Sequence, residues 1–341
     1  ILILDEPTAA LNDDDSENLL NLILELKKQG VTCIMISHKL REVLKIADTV
    51  TILRDGKTIN TLSRAELNEE VIIKNMVGRE LGNIYPKRQK KNIGDISLEV
   101  RNWSAYDYSV SREILSNLNL NVRKGEILGI AGLMGAGRTE FALSLFGNTK
   151  NYNVTGELFV NGKKMNFTHP LDAINAGIAY VSEDRKKDGL ILDQDVKQNL
   201  SIASLKDFVK HSIINRNEEI RVAEEYRKSL RIKTPSIEAQ VRKLSGGNQQ
   251  KVSLGKWLLA GPKILILDEP TRGIDVGAKF EIYTIMNRLV EEGMSIIMIS
   301  SELPEILGMS DRIYVVCEGQ IAGELSGEEA SQEKIMKMAT V

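Results

Sequence analysis

The octapeptide ILILDEPT at 1–8 returns letter for letter at 264–271. Four apolar residues followed by Asp-Glu read as a short buried strand that ends in two carboxylates. The match runs on at a constant offset of 263: IMIS at 34–37 pairs with IMIS at 297–300, Asp48 with Asp311, and Gly56 with Gly319. About a third of positions 1–60 are identical to positions 264–323, without a gap. A fixed offset over that length means a duplicated domain. The second copy reads as whole. The first opens inside its strand at Ile1, and is expected to lack its front.

Working outward from the repeat, residues 1–77 are expected to form the C-terminal part of the first copy, 78–95 a linker, and 96–341 the complete second copy. The linker GRELGNIYPKRQKKNIGD carries Pro86 and a basic cluster, Lys87, Arg88, Lys90 and Lys91. The cluster is short and lacks interleaved aromatics, which favours a solvated connector over a nucleic-acid or lipid patch. In the second copy the pattern predicts strands at 97–102, 117–122 and 126–131, a helix at 138–146 and a strand at 178–182. A polar, irregular stretch at 190–243 reads as a helical insertion. Then come a helix at 248–260, a strand at 264–267, a helix at 277–292 and a strand at 295–300. This alternation predicts an α/β fold with a mostly parallel sheet and helices on both faces.

Composition fits that picture. A length of 341 residues suggests about two domains. Apolar residues make up 42% and charged residues 27%, which argues against disorder. The net charge of −2 gives no electrostatic footprint for nucleic acid. Cys33 and Cys317 each sit in an apolar run, so a disulfide scaffold is not expected and a reducing compartment fits. No apolar stretch approaches the roughly 20 residues of a membrane-spanning helix.

Three segments carry chemistry. GLMGAGRT at 132–139 follows an apolar strand and opens a helical run. It matches G-x-x-x-x-G-K-[ST] except that Arg138 stands in place of Lys. Gly132, Gly135 and Gly137, with Leu133, Met134 and Ala136 between them, form a loop whose amides can wrap phosphate oxygens, and the helix behind adds its positive end. Thr139 is placed to ligate Mg²⁺. At the end of the ILILD strand Asp268 can hold the Mg²⁺ shell, and Glu269 can orient or deprotonate an attacking water. LSGGNQQ at 244–250 places Leu244, Ser245, Gly246, Gly247 and Asn248 at a helix start that offers unpaired donors to an anion.

Together these segments resemble the ATP-binding subunits of ATP-binding-cassette (ABC) transporters, whose signature motif is LSGG. The resemblance covers essentially the whole chain. GLMGAGRTE at 132–140, YVSEDRKKDGL at 180–190, LSGGNQQKV at 244–252 and DEPTRGIDVGAK at 268–279 look more narrowly like the fused two-cassette ATPases of bacterial monosaccharide importers. MVGREL at 76–81, Tyr85-Pro86 and the EDRK segment lean toward the xylose or multiple-sugar branch. The resemblance implies P-loop cassettes with a helical subdomain, which bind ATP with Mg²⁺ between the phosphate loop of one cassette and the signature of the other. It implies ATP hydrolysis coupled to import of a monosaccharide such as xylose, galactose or ribose, and permease subunits as partners. It also implies an indirect dependence on an extracytoplasmic, periplasmic-type sugar-binding protein, and a peripheral place on the cytoplasmic face of the bacterial inner membrane. No nucleic acid is expected as a partner. The rival is a soluble non-transport ABC ATPase acting on nucleic acid or the ribosome; the short linker and few cysteines weigh against it.

Carried over by position, Asp5 takes the magnesium role in the first copy, Glu6 the catalytic base and His38 the switch that contacts the γ-phosphate. The second copy departs from the family pattern three times: Arg138 replaces Lys, Glu183 stands where a Gln usually links nucleotide to permease, and Ser301 occupies the switch position. Tyr106 and Tyr108 are both candidates for stacking on adenine. The departures imply two unequal ATP sites, with Glu6 carrying most of the hydrolysis.

Overall fold

The computed structural model describes the chain apart from residues 9–10, 12, 38, 55, 70, 73–74, 76–83, 211 and 341. It divides into two units: Ile1–Ile84 with Asp275–Gly277, and Tyr85–Ile274 with Ala278–Val341.

In the first unit β1 (Leu2–Asp5) runs parallel to β2 (Cys33–Ile36), with α1 (Asp13–Lys28) between them in sequence. The start of α1 is acidic and its last turn holds Lys27 and Lys28, charges that complement the helix dipole. Leu20 and Ile23, one helical turn apart, bury against Ile46 of α2 (Leu40–Ile46). The antiparallel hairpin β3 (Thr49–Arg54) and β4 (Lys57–Ser63) follows.

The second unit holds two sheets. Its antiparallel sheet is ordered β6-β5-β8-β9, from β5 (Ile96–Asp107), β6 (Arg112–Arg123), β8 (Asn153–Val160) and β9 (Lys163–Met165). The six-stranded sheet is ordered β10-β13-β14-β7-β15-β16. Its strands are β7 (Ile127–Gly132), β10 (Ile178–Val181), β13 (Ile264–Asp268), β14 (Ser295–Ile299), β15 (Arg312–Cys317) and β16 (Gln320–Ser326). All pairings are parallel except β15 with β16. Around these lie α3 (Arg138–Leu145), α4 (Pro170–Asn175), α5 (Val196–Ser201), α6 (Arg216–Ser229), α7 (Gly246–Leu259), α8 (Val276–Glu291), α9 (Leu303–Met309) and α10 (Gln332–Ala339). The core joins the two sheets: Leu98 and Leu118 from the antiparallel sheet meet Leu128, Ile130 and Ile297 from the parallel one, with Phe141 and Leu145 of α3.

The strand ILILD lies in two environments. As β13 it is flanked by β10 and β14, and all five residues are buried. As β1 it pairs with β2 alone among the described strands, and its residues alternate between half-buried and exposed. Burial here follows sheet position, since the letters are the same.

The parallel sheet and its helices are as the alternation predicted. The antiparallel sheet was not foreseen. β5 and β6 are longer than the expected strands, and β8 was missed because its apolar residues are spaced irregularly around Gly156. That glycine has φ +104°, and a Cβ there would lie 2.5 Å from the Asn102 carbonyl oxygen. The segment 190–243 is helical only in part. Between α5 and α6 it holds a 3₁₀ turn at Ile202–Phe208 and a two-strand hairpin, β11 (Val209–Lys210) with β12 (Ile213–Ile214).

The basic segment also departs from a solvated connector. Arg88 pairs with Asp311 at 2.5 Å, and both side chains are about 95% buried. Nearby the Tyr85 and Tyr283 rings are 5.4 Å apart, and Asn287 Nδ2 donates to the Pro86 carbonyl at 2.5 Å. Without Arg88 the buried Asp311 keeps only the exposed Lys91 at 3.4 Å and the Ile127 amide, so Arg88→Ala should destabilise the second unit by roughly 3 kcal/mol. Chemical denaturation followed by Trp103 and Trp257 fluorescence measures this.

Candidate functional site

The phosphate-loop candidate is built by β7, whose first five residues are buried and which ends at Gly132. A Cβ on Gly132 would stand 2.4 Å from the Val316 carbonyl oxygen, so only glycine lets the chain turn away from the sheet there. Gly137, at φ +99°, caps α3 without a side chain. Met134 is 93% exposed and Leu133 is also exposed, while Ala136 is buried.

Thr139 at the start of α3 lies beside Asp268 at the end of β13 and favours its charged form. Tyr180 of β10 donates from its hydroxyl to Asp268 Oδ2 at 3.0 Å. Asp268 is fully buried, and its Oδ1 has no hydrogen-bond partner among the described residues. Burial pushes this carboxyl up to about 7, even though neighbouring Thr139 and the bond from Tyr180 act in the other direction. A buried carboxylate oxygen beside a threonine hydroxyl is the donor set a hard divalent cation takes, so these residues fit magnesium.

Glu269 adjoins them at φ +48°, with its amide bonded to the Ile299 carbonyl at 2.9 Å. Ser301 Oγ donates to Glu269 Oε2 at 3.1 Å. Burial raises the Glu269 carboxyl, against the opposing pull of Arg138 and Ser301. Arg138 is buried: its Nη1 donates to the Ser300 carbonyl at 2.7 Å and its Nη2 lies 3.9 Å from Glu269 Oε1. Glu183 pairs with Arg272, and its charge contributes to raising both Asp268 and Glu269.

The signature segment is assembled separately in the same unit. The helix α7 begins at Gly246, two residues before the expected start, with Ser245 exposed ahead of it and Leu244 half-buried. Asn248 donates to Ser245 Oγ at 2.9 Å and accepts from the Lys233 amide at 2.8 Å, so it shapes the turn. A Cβ on Gly247 would come within 2.4 Å of the Ala278 Cβ. In the first unit Asp5 ends β1, and Glu6 repeats the geometry of Glu269, with φ +46° and its amide bonded to the Ile36 carbonyl at 2.9 Å. His38 and the whole MVGREL segment at 76–81 lie outside the described residues. Tyr106 and Tyr108 pack edge to face at 5.2 Å, and both remain candidates for an adenine contact.

Two participants were missed in the sequence. Tyr180 sits in a wholly buried strand, and a buried hydroxyl needs an acceptor, which was a usable signal. Arg185 donates to the carbonyls of Arg272 at 2.7 Å and Gly273 at 3.2 Å, and nothing in its local sequence pointed there. A cavity of about 830 Å³ opens beside Thr139, bounded by Phe146, Tyr180, Glu183, Trp257 and Arg272.

Several known proteins resemble this chain. The ABC transporter family model matches residues 115–272. The chain is 58% identical over its whole length to the L-arabinose transport ATP-binding protein AraG of Geobacillus stearothermophilus, covering 67% of that protein. It is 57% identical to the xylose import ATP-binding protein XylG of Thermoanaerobacter pseudethanolicus, and 48% to the ribose import ATP-binding protein RbsA of Bacillus subtilis, again covering 67% of each. Among solved structures, an ATP-binding cassette of an ABC transporter, MJ1267, superposes with a TM-score of 0.62 at 23% identity, over 73% of this chain and all of that one. The chain is therefore a member of the ABC transporter ATPase family, in the group that includes these sugar-import ATP-binding proteins.

Proposed function

We propose that this chain binds and hydrolyses ATP to drive import of a monosaccharide, as part of a duplicated ATPase on the cytoplasmic face of a bacterial inner membrane. The observation that carries the nucleotide site is the meeting of Thr139, Asp268 and Glu269 behind the phosphate loop, with one buried Asp268 oxygen left unpartnered. Thr139 and Asp268 would hold magnesium there, which would supply charge neutralisation for the phosphates. The loop amides at 132–137 and the start of α3 would hold the phosphates. Glu269, and Glu6 in the other copy, would accept a proton from the attacking water. His38 would contact the γ-phosphate, and Ser245, Gly246 and Gly247 would close over nucleotide bound to the opposite copy.

The sugar assignment rests on relatives whose names specify arabinose, xylose and ribose import. None of the described helices is long and apolar enough to cross a membrane. Translocation would fall to permease subunits, in keeping with the relatives' names. Delivery by an extracytoplasmic sugar-binding protein completes the assembly. The balance of charge, −2 overall, and the relatives' names give no support to a nucleic-acid-remodelling ATPase. The loop 181–190, which lines the cavity beside Thr139, would face the permease. Glu183→Ala should then lower sugar uptake in reconstituted vesicles more than basal ATP hydrolysis; equal loss of both would confine the loop to catalysis.

The two sites should be unequal. In the second copy Arg138 is engaged with the Ser300 carbonyl and Glu269, and Ser301 is bonded to Glu269 as well. A planar guanidinium held this way does not replace a lysine point charge on phosphate. Losing one preorganised polar contact costs roughly 10²–10³ in rate. In the full-length protein Glu6→Gln should reduce ATP turnover to background, while Glu269→Gln should retain much of it. Equal damage from both substitutions would contradict a dominant first site.

The buried Asp268 adds a pH dependence. Its carboxyl keeps its proton up to about pH 7 and must release it to serve magnesium. Magnesium-dependent affinity for a fluorescent ATP analogue should therefore rise from pH 6 to pH 8. Asp268→Asn should flatten that rise.

A further inference from the structure

A buried carboxylate recurs in both units, away from the loops discussed above. In the second unit Thr271 Oγ1 donates to Glu305 Oε1 at 2.9 Å, and Ser300 Oγ donates to Glu305 Oε2 at 2.5 Å. The Glu302 amide donates to Ser300 Oγ at 3.0 Å. Thr271, Ser300 and Glu305 are each at most 1% exposed. In the first unit Thr8 Oγ1 donates to Glu42 Oε2 at 2.7 Å, and the Lys39 amide donates to Ser37 Oγ at 3.0 Å. Thr8, Ser37, Lys39 and Glu42 are the counterparts of Thr271, Ser300, Glu302 and Glu305 at the offset of 263.

The surroundings differ. Lys39 lies 3.3 Å from Glu42, whereas its counterpart Glu302 pairs with Lys279. The threonine–glutamate bond and the serine turn persist in both settings. Packing alone does not ask for a carboxylate here. An apolar side chain of similar volume avoids the desolvation cost that pushes Glu305 up to about 6.

What the glutamate joins explains its place. Thr271 follows Glu269 by two residues, and Ser300 directly precedes Ser301. The Glu269 amide is already bonded to the Ile299 carbonyl, as the Glu6 amide is to Ile36. Glu305 closes this short bridge on its other side, and Ser301 then reaches Glu269 at 3.1 Å.

We infer that Glu42 and Glu305 are positioning residues, each fixing the turn that carries residue 38 or 301 against the segment that carries Glu6 or Glu269. In the first copy this sets the placement of Glu6 relative to the turn at Ser37 and Lys39. The inference rests on the proposed role of Glu6 as catalytic base.

The test uses the full-length protein and steady-state ATP hydrolysis. Glu42→Ala should lower kcat by roughly ten- to hundredfold, with KM for ATP within about twofold of the parent, because misplacement costs rate rather than binding. Glu42→Gln keeps a carbonyl acceptor for the Thr8 hydroxyl, and should restore most of kcat. Should Glu42→Ala fail to fold, Thr8→Val removes the same bond at nearly constant volume and should reproduce the kcat loss. Unchanged kcat in the folded Glu42→Ala or Thr8→Val protein would overturn the inference, as would a parallel loss of kcat and affinity in Glu42→Gln. Wild-type turnover in Glu6→Gln, measured alongside, would instead overturn the base assignment on which it rests.

Discussion

A carboxylate taken out of water costs several kcal/mol unless it is neutralised or fully bonded. Asp268 is wholly buried at the end of a five-residue buried strand, and only one of its oxygens is bonded, to Tyr180. Much else in the second unit converges on this group. β10 and α3 flank it and supply Tyr180 and Thr139. The phosphate loop ends beside it, and Glu269 follows it in a left-handed backbone conformation that turns the chain away from the sheet. A site that stores an unpaired oxygen in the interior is organised for something that arrives carrying positive charge.

Glu269 sits between the groups that would act on nucleotide. Arg138 and Ser301 reach it from either side, and burial raises its proton affinity. The second copy has thus kept the carboxylates of an ATPase while turning its phosphate-loop cation toward the protein. The first copy has the same strand, the same left-handed glutamate and the same amide bond to the neighbouring strand. On the proposed function, divergence at Arg138 and Ser301 would leave the first copy suited to turnover and the second to holding nucleotide.

Much of this was legible in the sequence, and for physical reasons. The repeat of ILILDEPT located both strand ends, since a run of buried apolar letters closing in two carboxylates has few alternatives. The glycines at 132, 135 and 137 were legible because steric demands leave little choice there. The antiparallel sheet was harder to see: β8 carries its apolar residues at uneven spacing around Gly156, which faces a bulge in β5, so its period is hidden. Arg88 looked like a surface charge because its partner, Asp311, is more than 200 residues away in sequence. Arg185 was invisible for a related reason, since its acceptors are backbone carbonyls that any residue type provides. Glu42 and Glu305 were part of the visible repeat, but only the structure reveals that they are buried and what they join.

The central claim is that Thr139 and Asp268 form the metal side of a nucleotide site. A crystal structure of the full-length protein with a non-hydrolysable ATP analogue and Mn²⁺, located by anomalous scattering, tests it most directly. The account predicts a manganese ion held at Thr139 and Asp268, with the nucleotide phosphates within the 132–137 loop. Nucleotide bound with the metal remote from Thr139 and Asp268, or no nucleotide at the loop, would contradict it.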